Sequence, residues 1–145
     1  MYVDPFFFAK VLFGDKNNPM HYHLRCESPE FHREIFSSLL ALKAGEKLAV
    51  VAPRGHAKTT LISFIYPLHQ ILFGEEMFVL LISESETQSK YLLEAIGNEL
   101  EYNKKLREYF GNRMGETWGK EEKEIITGFD ADGTASGMCK ILIRG

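Results

Sequence analysis

"KLAVVAPRGHAKTT", residues 47–60, decides how the rest of the chain is read. Residues 47–52 form a short, continuous apolar run rich in β-branched residues. That pattern suits a strand buried on both faces of a parallel sheet. The residues that follow nearly match the phosphate-binding pattern Gly-x-x-x-x-Gly-Lys-[Ser/Thr]. Ala52 and Ala57 stand where the two glycines of that pattern belong. Gly55 remains in the middle, where tight curvature is most needed.

The loss of two glycines does not by itself disqualify the loop. Phosphate oxygens are wrapped by backbone N–H groups, and the helix that follows adds the positive end of its dipole. Backbone donors do not depend on side-chain identity. Alanine is the smallest substitute and costs little while φ stays negative. Lys58 reaches the β- and γ-phosphates as a mobile point charge. The Thr59 hydroxyl is placed to ligate Mg²⁺. Arg54 adds a second cation that can sense the γ-phosphate. Pro53, Arg54, Gly55, His56, Ala57, Lys58, Thr59 and Thr60 are therefore the expected nucleotide-contacting residues, with Lys58 and Arg54 in the catalytic roles. The competing reading is a basic turn between a strand and a helix. Context favours the nucleotide loop: the match follows an apolar run and opens a helical stretch, and a second apolar run comes next.

Working outward, "EFHREIFSSLLALK", residues 30–43, places Phe31, Ile35, Leu39 and Leu42 on one helical face. Pro29 suits its first turn, Ser28 its cap and Gly45 its end. Before it, "DPFFFAKVLFG" reads as a short helix stopping at Gly14. His21, His23 and Cys26 are close in sequence, but nothing completes a four-ligand set, so a metal site is not expected there. After the loop, "KTTLISFIYPLHQILF" reads as a helix kinked or broken at Pro67 and closed by Gly74. "MFVLLIS" reads as a second buried strand.

"SETQ", residues 85–88, is a capping box, and the helix behind it aligns Leu92, Ile96 and Leu100. "NKKLREYFG" reads as a short helix burying Leu106 and Phe110 and stopping at Gly111. "EIITGFDADGTASGMCKILIRG" reads as two strands around a turn, with "DADG" as hairpin rather than calcium loop. "KEEKE", residues 120–124, reads as solvated surface, and Trp118 as packing.

The composition fits one ordinary globular α/β protein. The chain has 145 residues, of which 45% are hydrophobic and 26% charged, enough for a sizeable core. A net charge of −3 gives no chain-wide electrostatic case for nucleic acid. Two cysteines are too few for a disulfide framework and suit a reducing cytosol. No signal peptide or membrane span is expected.

Three stretches taken together resemble a known family. "PEFHREIF", "KLAVVAPRGHAKTTLIS" and "VLLISESETQSKYLLEAIGNELEYNKKLREYFG" look like the ATPase domain of the large terminase subunit of tailed bacteriophages. The similarity spans residues 29–145, leaving 1–28 as an N-terminal segment. The resemblance implies a P-loop NTPase fold: a RecA-like (ASCE) three-layer sandwich with a largely parallel sheet, here a partial domain. It implies an ATP- and Mg²⁺-dependent motor that drives double-stranded viral DNA into the procapsid, in the cytoplasm of an infected bacterium. The implied partners are that DNA, the portal protein and the small terminase subunit, in a ring oligomer with no membrane contact. Phe31 and His32 fall where the family contacts adenine, and Arg54 where its loop arginine acts on the γ-phosphate.

One departure bears on catalysis. The nearest candidate for the acidic motif that holds Mg²⁺ and orients water is "FVLLISE", residues 78–84, and it has Ser83 where the aspartate belongs. The acidic motif, the coupling motif and the nuclease domain of the family are absent from residues 1–145. The resemblance thus implies a front fragment that binds ATP with little turnover. Two other readings stay open: a different P-loop ATPase, helicase-like or a small-molecule kinase, and a non-catalytic nucleotide-binding remnant.

Overall fold

The computed structural model describes residues 3–13, 17, 21, 27–73 and 78–145. Gly14, His23, Cys26, Gly74 and Met77, which carry parts of the expectations above, lie outside them. The chain divides into two compact units, Met1–Tyr66 and Pro67–Gly145.

In the first unit, helix α1 spans Pro5–Leu12. It starts where the Asp4 carboxylate accepts from the N–H groups of Phe6 (2.6 Å) and Phe7 (3.3 Å), with Pro5 at its first turn. Its buried face carries Phe8, Ala9 and Leu12. Phe13 follows and stacks edge-on against Phe8, His21 and Phe64. Helix α2 spans Glu30–Ala41 and buries His32, Ile35, Phe36 and Leu39. The expected Ser28 cap is not used: Pro29 itself occupies the cap position in an extended conformation, with no side-chain bond. The helix stops before Gly45, which instead turns the chain at φ 84°. That turn is closed by hydrogen bonds between Lys43 and Glu46.

The first correction concerns residues 47–52. They form no strand, and Val51 is 96% exposed. An apolar run becomes a central strand only if partners flank it, and among the described residues all the paired strands lie in 78–144.

The phosphate-loop residues lead into a π-helix over Thr59–Ile65, directly followed by helix α3, Tyr66–Leu72. Pro67 supplies the reason for the widened turns. A proline ring collides with the carbonyl four residues back and offers no N–H. Wide i→i−5 turns before it relieve that crowding, and Tyr66 N–H accordingly bonds Leu61 C=O.

The second unit is built on a four-stranded sheet: β1 Phe78–Ile82, β2 Met114–Trp118, β3 Glu122–Phe129 and β4 Ala135–Arg144, in the order β1-β4-β3-β2. Only β1 and β4 are parallel, with Leu80 opposite Leu142. The other two pairs are antiparallel. The expected RecA-like sandwich with a largely parallel sheet is therefore not the fold of this chain. Two local causes decide it. Residues 47–52 contribute no strand. The Asp130–Gly133 turn, with Gly133 at φ 85° and Asp130 N–H bonded to Thr134 C=O, forces β3 and β4 into a hairpin. Nor is β1 a strand buried on both faces: it is an edge strand with Phe78, Leu80 and Ile82 exposed.

Helix α4, Glu86–Tyr102, covers one face of this sheet. The Ser85 hydroxyl caps it by accepting from Gln88 N–H, and Ser89 Oγ donates to Arg144 C=O at 2.7 Å. Leu92, Leu93, Ile96 and Leu100 are buried, as are Ile125, Cys139, Ile141 and Ile143 of the sheet. Asn103 links α4 to helix α5, Lys104–Phe110: its amide donates to Glu99 (2.7 Å) and its carbonyl accepts from Leu106 N–H (3.1 Å). Gly111 then stops α5 at φ 75°. Arg113 ties the end of α5 to β3 by donating to Phe110 C=O and Ile126 C=O between the Phe110 and Phe129 rings. Burial holds its guanidinium pKa below the ordinary value. On the opposite sheet face Lys140 bridges Glu122 (2.6 Å) and Glu124 (3.7 Å).

Candidate functional site

The loop between residues 52 and 58 is closed by its own lysine. Lys58 Nζ donates to the carbonyls of Ala52 and Pro53, the latter at 2.7 Å. Both carbonyls sit at the loop entrance and Lys58 at its exit, so the ammonium spans the turn. Two residues inside take left-handed backbone: Gly55 at φ 81° and Ala57 at φ 58°. Ala57 is the only non-glycine at positive φ among the described residues. The expectation that alanine keeps φ negative here is thus corrected. The residue in the second glycine's place does need a glycine-like conformation, and it is held there with its methyl buried.

Pro53, Arg54, Gly55 and His56 are exposed, Lys58 is half-buried, Thr59 is exposed and Thr60 is buried. His56 Nδ1 lies 3.1 Å from Arg54 C=O, which stiffens the crown of the loop. Leu61 N–H bonds Ala57 C=O at 2.9 Å and fixes where the helix begins.

Phe31 and His32 lie at the start of α2, 25 residues before the loop crown, and the fold brings them to it. The Phe31 ring is 5.6 Å from the His56 ring and 4.4 Å from that of His32. Phe31, His32, Gly55, His56 and Ala57, together with Glu27 and Pro29, line an open cavity of about 290 Å³. The expected residues therefore fall into two neighbouring groups: an aromatic cleft around Phe31, and the lysine-closed turn around Lys58.

The loop residues fit a phosphate. An exposed, strongly curved turn presents its backbone to solvent, and its cation already rests on neutral acceptors that an anion would outcompete. Thr59 is available as the one hydroxyl ligand for a phosphate-bound Mg²⁺. Among the described residues no group of three His, Cys, Asp or Glu side chains could hold a metal unaided. Of the triad named for a metal site, His21 is buried against Phe13.

No helix among the described residues is long and apolar enough to cross a membrane. Compared with known proteins, the chain matches no family, no curated protein and no solved structure.

Sequence reasoning missed one residue of chemical interest. Within "KEEKE", Lys120 and Glu121 are exposed as expected, but Lys123 is only 7% exposed. The signal was present in its neighbours. Two-residue alternation along β3 sets Lys123 on the same face as Ile125.

Proposed function

We propose that residues 52–59 bind the phosphates of a nucleoside triphosphate, ATP by resemblance, with Thr59 contributing to Mg²⁺ and Lys58 to the terminal phosphates. The cleft of Phe31, His32 and His56 takes the base. The observation that carries this reading is the position of Lys58, folded across a turn built from Gly55 and Ala57 at positive φ. A basic surface turn gains nothing from holding an alanine in left-handed backbone, at about 1–2 kcal/mol. Left-handed residues at a turn are the backbone feature from which anion-binding concavities of successive amides are built.

The wider role follows from sequence resemblance alone. The chain is the ATP-binding part of a viral DNA-packaging motor, working on double-stranded DNA with a portal and a small terminase subunit in the infected host's cytoplasm. With Ser83 where the nearest candidate motif would carry its aspartate, and no glutamate assigned to position water, the chain by itself binds nucleotide and hardly turns it over.

The test is calorimetric titration of the whole chain with a slowly hydrolysed Mg·ATP analogue, beside Lys58→Ala. Saturable binding that weakens at least about tenfold in the variant is expected, since one charge-assisted bond contributes about 1.5–3 kcal/mol. Equal binding by both proteins would refute the loop assignment. Rapid ATP hydrolysis lost in Lys58→Ala would refute the low-turnover claim and point first to Glu84 as the missing carboxylate. Phosphorylation of a small acceptor would replace the motor reading by a kinase.

A further inference from the structure

The second unit holds a larger cavity, about 540 Å³, between α4 and the β2–β3 turn. That is within the usual range for small-molecule sites. Lys123 lines it while being almost entirely buried. The ammonium sits 4.6 Å from the centre of the Trp118 ring and donates to Gly119 C=O at 2.9 Å. An ammonium carries three donors, and Gly119 C=O takes one of them.

Gly97 makes this position possible. A Cβ there would lie 2.6 Å from Lys123 Cε. The helix thus lacks a side chain where the lysine stem passes.

Burial holds the Lys123 ammonium below its ordinary pKa. The charges of Glu101 and Glu94, seven residues apart on the same face of α4 and both lining the cavity, act against that lowering. Glu101 also accepts from the Tyr102 hydroxyl. Lys90, also at the rim, is already taken up by Glu86 (2.5 Å) and Glu121 (3.0 Å). The cavity therefore offers a buried cation, two carboxylates, the exposed Lys120 at its rim and an aromatic wall of Trp118 and Tyr91. We propose that this cavity binds a small zwitterion with an apolar body, an α-amino acid of aromatic or large aliphatic side chain. Its carboxylate lies on Lys123, its ammonium toward Glu94 and Glu101, and its side chain against Trp118. A plain anion would be repelled by the two carboxylates, and a plain cation by the lysine. The site is separate from the phosphate loop and does not rest on that reading.

Trp118 is the only tryptophan of the chain, so its emission reports the site directly. The probes are L-phenylalanine, its amine half phenethylamine and its acid half 3-phenylpropanoate, titrated into the intact chain. L-Phenylalanine is expected to shift the emission saturably, with each half binding at least about tenfold more weakly for want of one charge-assisted contact. Lys123→Met should bring L-phenylalanine down to the level of phenethylamine while leaving the amine unchanged. Glu101→Gln, at a half-buried position, gives the reciprocal loss, with 3-phenylpropanoate unaffected. Absence of a saturable shift up to about 20 mM, which corresponds to negligible affinity, would overturn the proposal. So would either half binding as tightly as the zwitterion, or Glu101→Gln binding L-phenylalanine like the parent chain.

Discussion

Replacing Ala57 by glycine isolates the conformational demand of the loop. At φ 58° an L-residue carries about 1–2 kcal/mol of strain that glycine does not. Two costs oppose the gain. Glycine frees the unfolded chain by about 0.4–1 kcal/mol. Its missing methyl, buried at 8% exposure, forfeits about 0.8 kcal/mol. The terms nearly cancel, so Ala57→Gly should change stability by less than about 1 kcal/mol in either direction. The control is Ala9→Gly in α1, where the alanine is 1% exposed and helical. There the same methyl is lost and helix propensity adds about 0.5–1 kcal/mol, with no strain to relieve, for a cost near 1.5 kcal/mol. Urea unfolding of the three proteins measures the difference. An Ala57→Gly cost equal to that of Ala9→Gly would refute the left-handed assignment. With it would go the argument that the loop is shaped for an anion.

Three further outcomes follow from the second unit. Asn103→Ala removes the amide bond to buried Glu99 and the cap on Leu106, and should cost about 1–2 kcal/mol in urea unfolding; a loss below a few tenths would contradict the double cap. Gly115→Ala places a Cβ 2.7 Å from the backbone oxygen of Glu124, and should cost about 1–3 kcal/mol through strain at the β2–β3 pairing. A neutral result there would contradict the close approach of the two strands. The Glu86 carboxyl is held below its ordinary pKa first by the hydrogen bond from Lys90 and then by its charge. A depressed carboxylate adds stability above the ordinary carboxylate range and loses it as pH falls through the lowered value. Lys90→Met should therefore raise the Glu86 titration midpoint measured by carbon NMR, and an unchanged midpoint would contradict the pair.

What the sequence revealed depended on whether the signal was local. Helix α4 was legible because Ser85 caps it and Leu92, Ile96 and Leu100 fall at helical spacing, all decided within one stretch of chain. The β3–β4 hairpin was legible for the same reason, through the Asp130–Gly133 turn. Residues 47–52 were misread because an apolar run states a preference for strand but not whether partners exist, and strand formation depends on those partners. That one segment carried the parallel-sheet expectation with it. Strand β2, "MGETW", went unread because it lacks apolar alternation; its structure comes from pairing with β3, where Gly115 permits close approach. Lys123 was hidden inside a charge run. In the candidate site the residues of the loop were legible and their conformation was not: the pattern named Ala57 as a glycine substitute but gave no φ. The approach of Phe31 to His56 was not legible, since no local spacing joins α2 to the loop; the family resemblance named Phe31 and His32 only as adenine contacts.

The most direct measurement is amide chemical-shift mapping of the isotopically labelled chain titrated with Mg·ATP. The largest changes are expected at Gly55, His56, Ala57, Lys58 and Thr59, with smaller ones at Phe31 and His32, all lost in Lys58→Ala. Changes confined to other residues, or the same changes in Lys58→Ala, would contradict a phosphate site at residues 52–59.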